Sequence, residues 1–227
     1  MKAMVLAAGR GERFRPITDR TPKPLVPVAG EPMIERHVAR LAAAGVREIV
    51  INLGWLGEQI EDRLRDGSRF GVSIAYSREG WPALETGGGV FRALNLLGDE
   101  PFLVVSGDIW SDYPLADLVT RAHNMAERDL AHLVLVPKGE FKGDFALDAG
   151  RVRNAPAEYT FGNYSVLRRG LFEGCKDGPF PIAPLWRAAA DEDRIGGEVY
   201  RGRWWNLGTP QQLAALESEL ASQRRSA

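Results

Sequence analysis

The sequence predicts an α/β fold in which helices cover both faces of a mostly parallel sheet. Strand and helix patterns alternate repeatedly through the first half of the chain, up to about residue 110. The strand patterns are short apolar runs, typical of strands that are buried on both faces. Such alternation implies βαβ units, whose crossover helices lie against a parallel sheet.

The first half supplies these elements in order. Its first strand ends at Gly9, and its first helix has proline in front and glycine behind, which are ordinary start and stop signals. The other elements are assigned from apolar runs and helical spacing. Strands are predicted over residues 2–8, 48–53, 72–76 and 101–105, and helices over residues 32–45, 56–66 and 86–97.

The second half is less regular, and we expect it to lay a mixed extension over the sheet. A hairpin is predicted over residues 144–152, turning at Ala149-Gly150. Further strands are predicted over residues 131–137, 164–167 and 204–207, and a closing helix over residues 211–223. No repeat or linker-like tract interrupts the sequence, so residues 1–227 are predicted to form one domain.

Composition and charge exclude several classes of function. The 227 residues carry 29 basic and 30 acidic side chains, a balance that gives no general attraction for nucleic acid. The single cysteine cannot form an internal disulfide, and no Cys/His cluster has zinc spacing. No stretch approaches the ~20 apolar residues that span a bilayer. We expect a soluble, cytoplasmic protein without a membrane or nucleic-acid partner.

The most informative segment is the loop at residues 6–25, LAAGRGERFRPITDRTPKPL. Gly9 and Gly11 follow the first strand directly, and glycine lets backbone N–H groups approach a phosphate closely. The third glycine of a dinucleotide fingerprint would fall at Phe14, and no Gly-Lys-Ser/Thr follows, so this is neither a Rossmann fingerprint nor a Walker loop. Lys23 lies between two prolines, which restrict its backbone.

The loop suits a reaction at the α-phosphate of a nucleoside triphosphate. Backbone amides would hold the phosphates, Arg13 would neutralise the departing pyrophosphate, and Lys23 would bridge the attacking and attacked phosphates. The alternative is that both are surface cations and that the glycines only form turns. The position of the glycines at the end of a strand, with P-K-P shortly after, favours the catalytic interpretation.

These residues resemble a known family. L-A-A-G-x-G-x-R followed by T-x-x-x-P-K-P-L is similar to the signature of the sugar-1-phosphate nucleotidyltransferases. The resemblance implies a Rossmann-like, three-layer α/β/α sandwich with a mostly parallel mixed sheet. It also implies that residues 1–110 bind the nucleotide and residues 111–227 the sugar phosphate. The short length and FPIAPL at residues 180–185 most resemble the bacterial N-acetylmuramate-1-phosphate uridylyltransferases of cell-wall recycling.

A magnesium site is expected at Asp108. This residue follows an apolar strand in Ser-Gly-Asp, at the sheet edge where ligands bind in α/β folds, and Mg²⁺ prefers oxygen ligands. The resemblance implies a second ligand in a W-x-D-x-G-T-P-like motif, where this chain has Asn206 instead of aspartate. An amide oxygen can coordinate Mg²⁺ but lacks the charge. The site therefore either depends on the nucleotide phosphates or is weakened.

The resemblance also implies where the substrates bind. Ala8, Gly9, Gly11, Glu79 and Gly87 are expected around the nucleotide, with Glu79 and Gly87 reading the base. The alternative for the latter segment is a capped helix start at Thr86. The sugar phosphate is expected at Gly143, Asp144, Glu158 and Asn163.

The expected reaction is an in-line displacement that joins a nucleoside monophosphate to a sugar-1-phosphate and releases pyrophosphate, with Mg²⁺ as cofactor. UTP and N-acetylmuramic acid 1-phosphate are the expected substrates. Mannose-1-phosphate with GTP, or glucose-1-phosphate with UTP or dTTP, are alternatives. A non-catalytic nucleotide or sugar-phosphate sensor is the alternative from another class. The chain is expected to be a monomer or a small homo-oligomer.

Overall fold

The computed structural model describes the backbone of residues 1–226 and the side chains of residues 1–223. The strands of the first half are β1 (Lys2–Leu6), β2 (Pro27–Val28), β3 (Glu31–Pro32), β4 (Glu48–Leu53), β5 (Ser73–Arg78) and β6 (Phe102–Ser106). Its helices are α1 (Met33–Ala43), α2 (Gly57–Leu64) and α3 (Glu85–Leu97). Every strand and helix predicted for this half is present, with ends shifted by a few residues.

Up to residue 226, the second half adds seven strands and three helices. The strands are β7 (Ile109–Ser111), β8 (Ala131–Pro137), β9 (Ala146–Asp148), β10 (Arg151–Arg153), β11 (Tyr159–Leu167), β12 (Ile195–Val199) and β13 (Trp204–Asn206). The helices are α4 (Leu115–His123), α5 (Ala183–Asp191) and α6 (Pro210–Ser226). The predicted hairpin turns at Ala149-Gly150, where both residues have positive φ. Sequence patterns missed α4, α5, β7 and β12.

A nine-stranded sheet runs through the molecule in the order β5-β4-β1-β6-β11-β8-β12-β10-β9. Four strands of the first half belong to this sheet, β5, β4, β1 and β6, and they are parallel, whereas β2 and β3 pair separately. β11 is antiparallel to both β6 and β8, which makes the sheet mixed. The predicted extension over the sheet is therefore wrong. Because β11 pairs with β6, most strands of the second half widen the sheet instead of lying over it.

Two buried cores lie on the two faces of the sheet. One contains apolar side chains of α1, α2 and α4, and the other contains those of α3 and α5. Together they confirm the three-layer α/β/α arrangement. A third, smaller cluster joins α6 to the β7–β13 pair through Trp110, Leu207 and Leu216. Within residues 1–226, no helix is long and apolar enough to cross a membrane.

Candidate active site

The sheet order places a crevice at the carboxyl ends of β1 and β6. From β1 the chain proceeds to β4 and β5 on one side, and then returns to form β6 on the other. Loops that leave two such strands diverge, and the gap between them is the usual ligand site of open α/β sheets. Here the two loops are the glycine-rich loop after β1 and Ser106-Gly107-Asp108 at the end of β6.

A cleft of about 440 Å³ occupies this crevice, and we call it the first cleft. Five of the predicted nucleotide and catalytic residues on the glycine-rich loop line it. They are Ala8, Gly9, Gly11, Arg13 and Lys23. Asp108 and Glu79 also contribute to the lining, so residues from three strand ends converge on one space.

The glycine-rich loop folds as short 3-10 turns that bring Lys23 back against Gly11. Gly11 has φ of +69°, and a Cβ atom there would lie 3.0 Å from the Cβ of Lys23. Its carbonyl accepts hydrogen bonds from the Thr18 hydroxyl at 2.9 Å and the Phe14 N–H at 2.8 Å. Glycine is therefore required by both the left-handed backbone and the close approach.

The arginines of this loop differ in their partners. Arg10 pairs with Asp19 at 3.3 Å, and Arg15 pairs with Asp19 at 3.0 Å. Glu12 lies 3.6 Å from Arg10 and 3.9 Å from Arg15. Within the described part of the chain, the Arg13 guanidinium has neither a hydrogen bond nor an ion pair. The loop's own acids thus neutralise Arg10 and Arg15, and of the two arginines that they leave unpaired, Arg13 and Arg20, only Arg13 lines the first cleft.

Lys23 and Asp108 meet inside the first cleft. The Lys23 ammonium donates to Oδ2 of Asp108 at 2.6 Å, and the lysine side chain is only 13% exposed. The Lys23 ammonium also lies 5.4 Å from the centre of the Phe14 ring. The pair joins the end of β6 to the glycine-rich loop. It places in the first cleft a cation that could bind phosphates and a carboxylate that could bind a metal ion.

Asn206 lies beside Asp108. The N–H of Leu207 donates to the Asp108 carbonyl at 3.0 Å, and β13 pairs Asn206 with Ile109 of β7. Asn206 Oδ1 is buried and has no hydrogen-bond partner. An orphaned amide oxygen on the segment next to Asp108 is a ligand type that fits Mg²⁺, and because neighbouring groups cover it, a metal ion would reach it only if these groups shift. Among the described residues, no group of three or more His, Cys, Asp or Glu side chains could hold a metal.

Glu79 is held in place by buried hydrogen bonds. One carboxylate oxygen accepts from the Asn52 side-chain amide at 2.6 Å, and the other accepts from the Leu84 N–H at 2.9 Å. Asn52 in turn accepts from the Ala7 N–H at 2.7 Å. Both oxygens of Glu79 therefore fasten the segment before α3 to β1 and β4. This network shapes one wall of the first cleft.

A second cavity, of about 250 Å³, adjoins the first cleft. Four residues line both spaces: Leu6, Thr86, Ser106 and Asn163. The second cavity has aromatic walls from Phe145, Phe161 and Trp186, and its charged lining residues are Asp144 and Arg187. A ligand in the second cavity can therefore reach a ligand in the first cleft across the shared residues.

Asn163 reaches this junction because β11 has a bulge there. The pairing of β11 with β8 shifts between Phe161 and Tyr164, and Asn163 adopts φ of +65°. Its Oδ1 accepts from the Ser106 hydroxyl at 3.0 Å, and its Nδ2 donates to the Phe161 carbonyl at 3.2 Å. Bulges often re-aim a side chain next to an active site.

Four predicted residues lie outside both linings: Asn206, described above, and Gly87, Gly143 and Glu158. Gly87 packs against Phe180, since a Cβ there would lie 2.5 Å from that ring. Gly143 has φ of +82° and contacts the backbone of Ala157, and Glu158 is exposed to solvent. Asp144 does line the second cavity, and its Oδ2 accepts from the Phe161 N–H at 2.9 Å. Gly87, Gly143 and Glu158 therefore shape or flank the site without lining it in this structure.

Several lining residues were missed at the level of sequence. Ser106 stands two residues before Asp108, so a neighbour carried a signal, and Thr86, which was considered as a helix cap beside Gly87, lines both spaces. Thr86 is not the cap of α3, because the helix begins one residue earlier at Glu85. Trp186 and Arg187 lie on α5, a helix that the patterns did not predict, so no signal pointed to them.

The fold and the crevice with its glycine-rich loop define a class of protein, and the chain belongs to the nucleotidyl transferase family, whose model matches residues 2–143. A structure described as a putative glucose-1-phosphate thymidylyltransferase from Bacillus anthracis has a TM-score of 0.86 at 22% identity. The match covers 96% of this chain and 94% of that one. This likeness confirms the predicted Rossmann-like fold.

Two relatives match over almost the whole chain. N-acetylmuramate alpha-1-phosphate uridylyltransferase of Neisseria meningitidis serogroup B is 47% identical over 225 residues, 96% of this chain and 97% of the relative. The Caulobacter vibrioides protein of the same name is 37% identical over 238 residues, 96% of each. The resemblance noted from the loop thus extends through the second half, which forms most of the second cavity.

Proposed function

We propose that this chain transfers a uridylyl group from UTP to N-acetylmuramate 1-phosphate, giving the UDP-sugar and pyrophosphate. The observation that carries the proposal is the full-length similarity to the two uridylyltransferases. The geometry supports it, because a cation-bearing cleft and an aromatic-walled cavity meet at shared residues. The nucleotide would occupy the first cleft and the sugar the second cavity.

The chemistry requires positioning and charge neutralisation. An oxygen of the sugar phosphate attacks the α-phosphorus, a new P–O bond forms, and the bond to the leaving pyrophosphate breaks. A phosphate monoester is already anionic near neutral pH, so no strong base is needed. Arg13, which has no partner in the described chain, would bind the leaving phosphates. Lys23 would exchange Asp108 for phosphate oxygens when the substrates bind.

Mg²⁺ is the proposed cofactor, held by Asp108 and the orphaned Oδ1 of Asn206. Bound there, it would supply positive charge to the phosphate oxygens as charge develops in the transition state. Two protein ligands leave most of the coordination sphere to phosphates and water, an arrangement that Mg²⁺ commonly adopts. The cytoplasmic location and the absence of nucleic-acid partners remain expectations from the sequence.

Pyrophosphate release over a panel of substrates tests the proposal. UTP, GTP and dTTP would each be combined with N-acetylmuramate 1-phosphate, glucose-1-phosphate and mannose-1-phosphate. We expect the highest kcat/KM for UTP with N-acetylmuramate 1-phosphate. A higher value for GTP with mannose-1-phosphate would identify a mannose-1-phosphate guanylyltransferase. A higher value for UTP or dTTP with glucose-1-phosphate would identify a glucose-1-phosphate uridylyl- or thymidylyltransferase. Nucleotide binding without pyrophosphate release from any pair would identify a sensor.

A further inference from the structure

Among the described residues that line the second cavity, one carries a positive charge: Arg187 of α5. This arginine lines the second cavity but not the first cleft. Its guanidinium lies 5.0 Å from the centre of the Phe145 ring, another part of the cavity wall. Stacking on an aromatic face restricts the guanidinium and leaves its N–H donors free at the edge. The arginine is thus held near the cavity by its own wall.

The Arg187 guanidinium has no carboxylate partner. Within the side chains that the structure describes, it makes neither an ion pair nor a hydrogen bond. Other arginines of the chain are paired: Arg153 pairs with Asp193 at 2.7 Å, and Arg92 pairs with Asp177 at 2.8 Å. A planar, always charged group that is left unpaired on a cavity wall is suited to a carboxylate or phosphate.

The remaining polar groups of the wall indicate a ligand rich in oxygen atoms. Asp144 is the other charged lining residue, and a carboxylate is suited to sugar hydroxyls, which donate hydrogen bonds. Trp186 Nε1 and Ser165 Oγ, on residues of the same wall, are buried without a hydrogen-bond partner. Neighbouring groups cover these two atoms, so a ligand reaches them only if the wall shifts. The Arg187 side chain is exposed as it stands.

We propose that Arg187 determines acceptor specificity by binding a carboxylate on the sugar. The inference rests on the proposed function, in which the acceptor carries two anionic groups, a phosphate and the carboxylate of the muramic acid side chain. The phosphate of the acceptor must lie near the α-phosphate of UTP, in the first cleft, whose cations are Lys23 and Arg13. Arg187 is the cation that the described second cavity offers to the other anion.

The experiment compares two acceptors that differ in this carboxylate. N-acetylmuramate 1-phosphate carries it on a lactyl ether, and N-acetylglucosamine 1-phosphate has a free hydroxyl in place of that ether and so lacks the carboxylate. Arg187→Gln, Arg187→Lys and the wild type would be assayed with each, as substrate or, without turnover, as competitive inhibitor. Arg194→Gln is the matched control, because Arg194 is an arginine close after α5 that lines neither space.

We expect Arg187→Gln to raise KM for the muramate acceptor about tenfold or more, with kcat changed by less than about threefold. The affinity for the acceptor without the carboxylate should change by less than about twofold. Arg187→Lys should lie between, since it keeps the charge but loses the planar fork. An unchanged KM for muramate, or an equal change for both acceptors, would overturn the inference.

Failure of the proposed function gives a different result. If the wild type releases no pyrophosphate with the muramate acceptor, the function is wrong whatever the variants do. Calorimetric titration of N-acetylmuramate 1-phosphate into wild type and Arg187→Gln then decides the inference separately. If the wild type binds this compound and Arg187→Gln does not, the carboxylate site stands even though the proposed function has failed. If both proteins bind it equally, or neither binds it, the carboxylate site is rejected.

Discussion

The first cleft and the second cavity are built in different ways. The first cleft takes both of its cations, Arg13 and Lys23, from one continuous loop after β1, and the strand that ends near Asp108, β6, is the neighbour of β1 in the sheet. The second cavity is assembled from β6, β11, the hairpin region and α5, which are distant in sequence. The contrast indicates that the reaction chemistry depends on local motifs, whereas acceptor recognition depends on how distant elements pack.

If this division holds, variants in the first cleft change turnover with every acceptor, and those in the second cavity change discrimination between acceptors. Residues at the junction should affect both. A buried group outside both spaces should change stability alone. The following variants test the division from the largest expected effect to the smallest.

Lys23→Ala should lower kcat by ~10³-fold with every acceptor, because it removes a cation from the reacting phosphates. The measurement is pyrophosphate release with saturating UTP and each acceptor of the panel. Lys138→Ala, which removes an exposed lysine outside both spaces, is the control. Turnover within about tenfold of the wild type would remove Lys23 from the proposed chemistry.

Asn163→Gly should lower kcat/KM by about tenfold, since the junction loses a side chain held by Ser106. Glycine accepts the φ of +65° freely, so the fold should keep its stability. Asn163→Ala should show the same kinetics but lose ~1 kcal/mol of unfolding free energy, because alanine is strained there. Wild-type kinetics in both variants would contradict a role for this residue at the junction.

Asn206→Asp should lower the Mg²⁺ concentration for half-maximal turnover by roughly three- to tenfold, since a carboxylate adds charge to the site. At saturating Mg²⁺ we expect kcat within about twofold of the wild type, because phosphates supply the remaining ligands. A Mg²⁺ titration of turnover measures both, with Asn124→Asp adding the same charge at an exposed position as control. A large gain in kcat would show instead that Asn206 weakens the enzyme.

Substituting His37 should change the stability of the fold without changing binding or turnover at the first cleft or the second cavity. Burial, together with the charges of Arg40 and Arg36, lowers the pKa of His37 to about 3. In the unfolded chain histidine titrates near ~6.5, so below that pH the unfolded state binds a proton that the folded state refuses. The free energy of unfolding therefore falls as pH drops from ~6.5 towards 3, by up to ~1.4 kcal/mol per pH unit.

Denaturant unfolding at several pH values between 5 and 7 checks this effect. Relative to the wild type, His37→Gln should lose less stability as the pH falls through this window. His123→Gln, at an exposed histidine on the last turn of α4, is the control and should follow the wild type. Parallel profiles for His37→Gln and wild type would contradict a buried, neutral His37.

Sequence patterns predicted the first half well because its elements follow local periodicity. Parallel strands buried on both faces are continuous apolar runs, and α1 has clear start and stop signals. The second half was harder to predict because its strands are fixed by their neighbours. β11 was expected at residues 164–167, but it begins at Tyr159, where the bulge and the pairing with β8 extend it. Local patterns carry no information about such pairing.

The sequence by itself determined the reaction loop. The spacing of Gly9, Gly11, Arg13 and Lys23 is local, and a strand ending in glycine can present backbone amides to phosphates wherever it lies in a fold. The order of parallel strands then brings Asp108 to the same edge of the sheet.

Only the tertiary structure decided which cations are unpaired and which residues line the same cavity. Arg10 and Arg15 are the same residue type as Arg13, but folding places Asp19 and Glu12 beside them and leaves Arg13 unpaired among the described residues. Arg187 belongs to the second cavity because α5 packs beside Phe145, about forty residues earlier in the chain. Charge pairing and cavity walls depend on distances between segments, and the sequence order does not contain those distances.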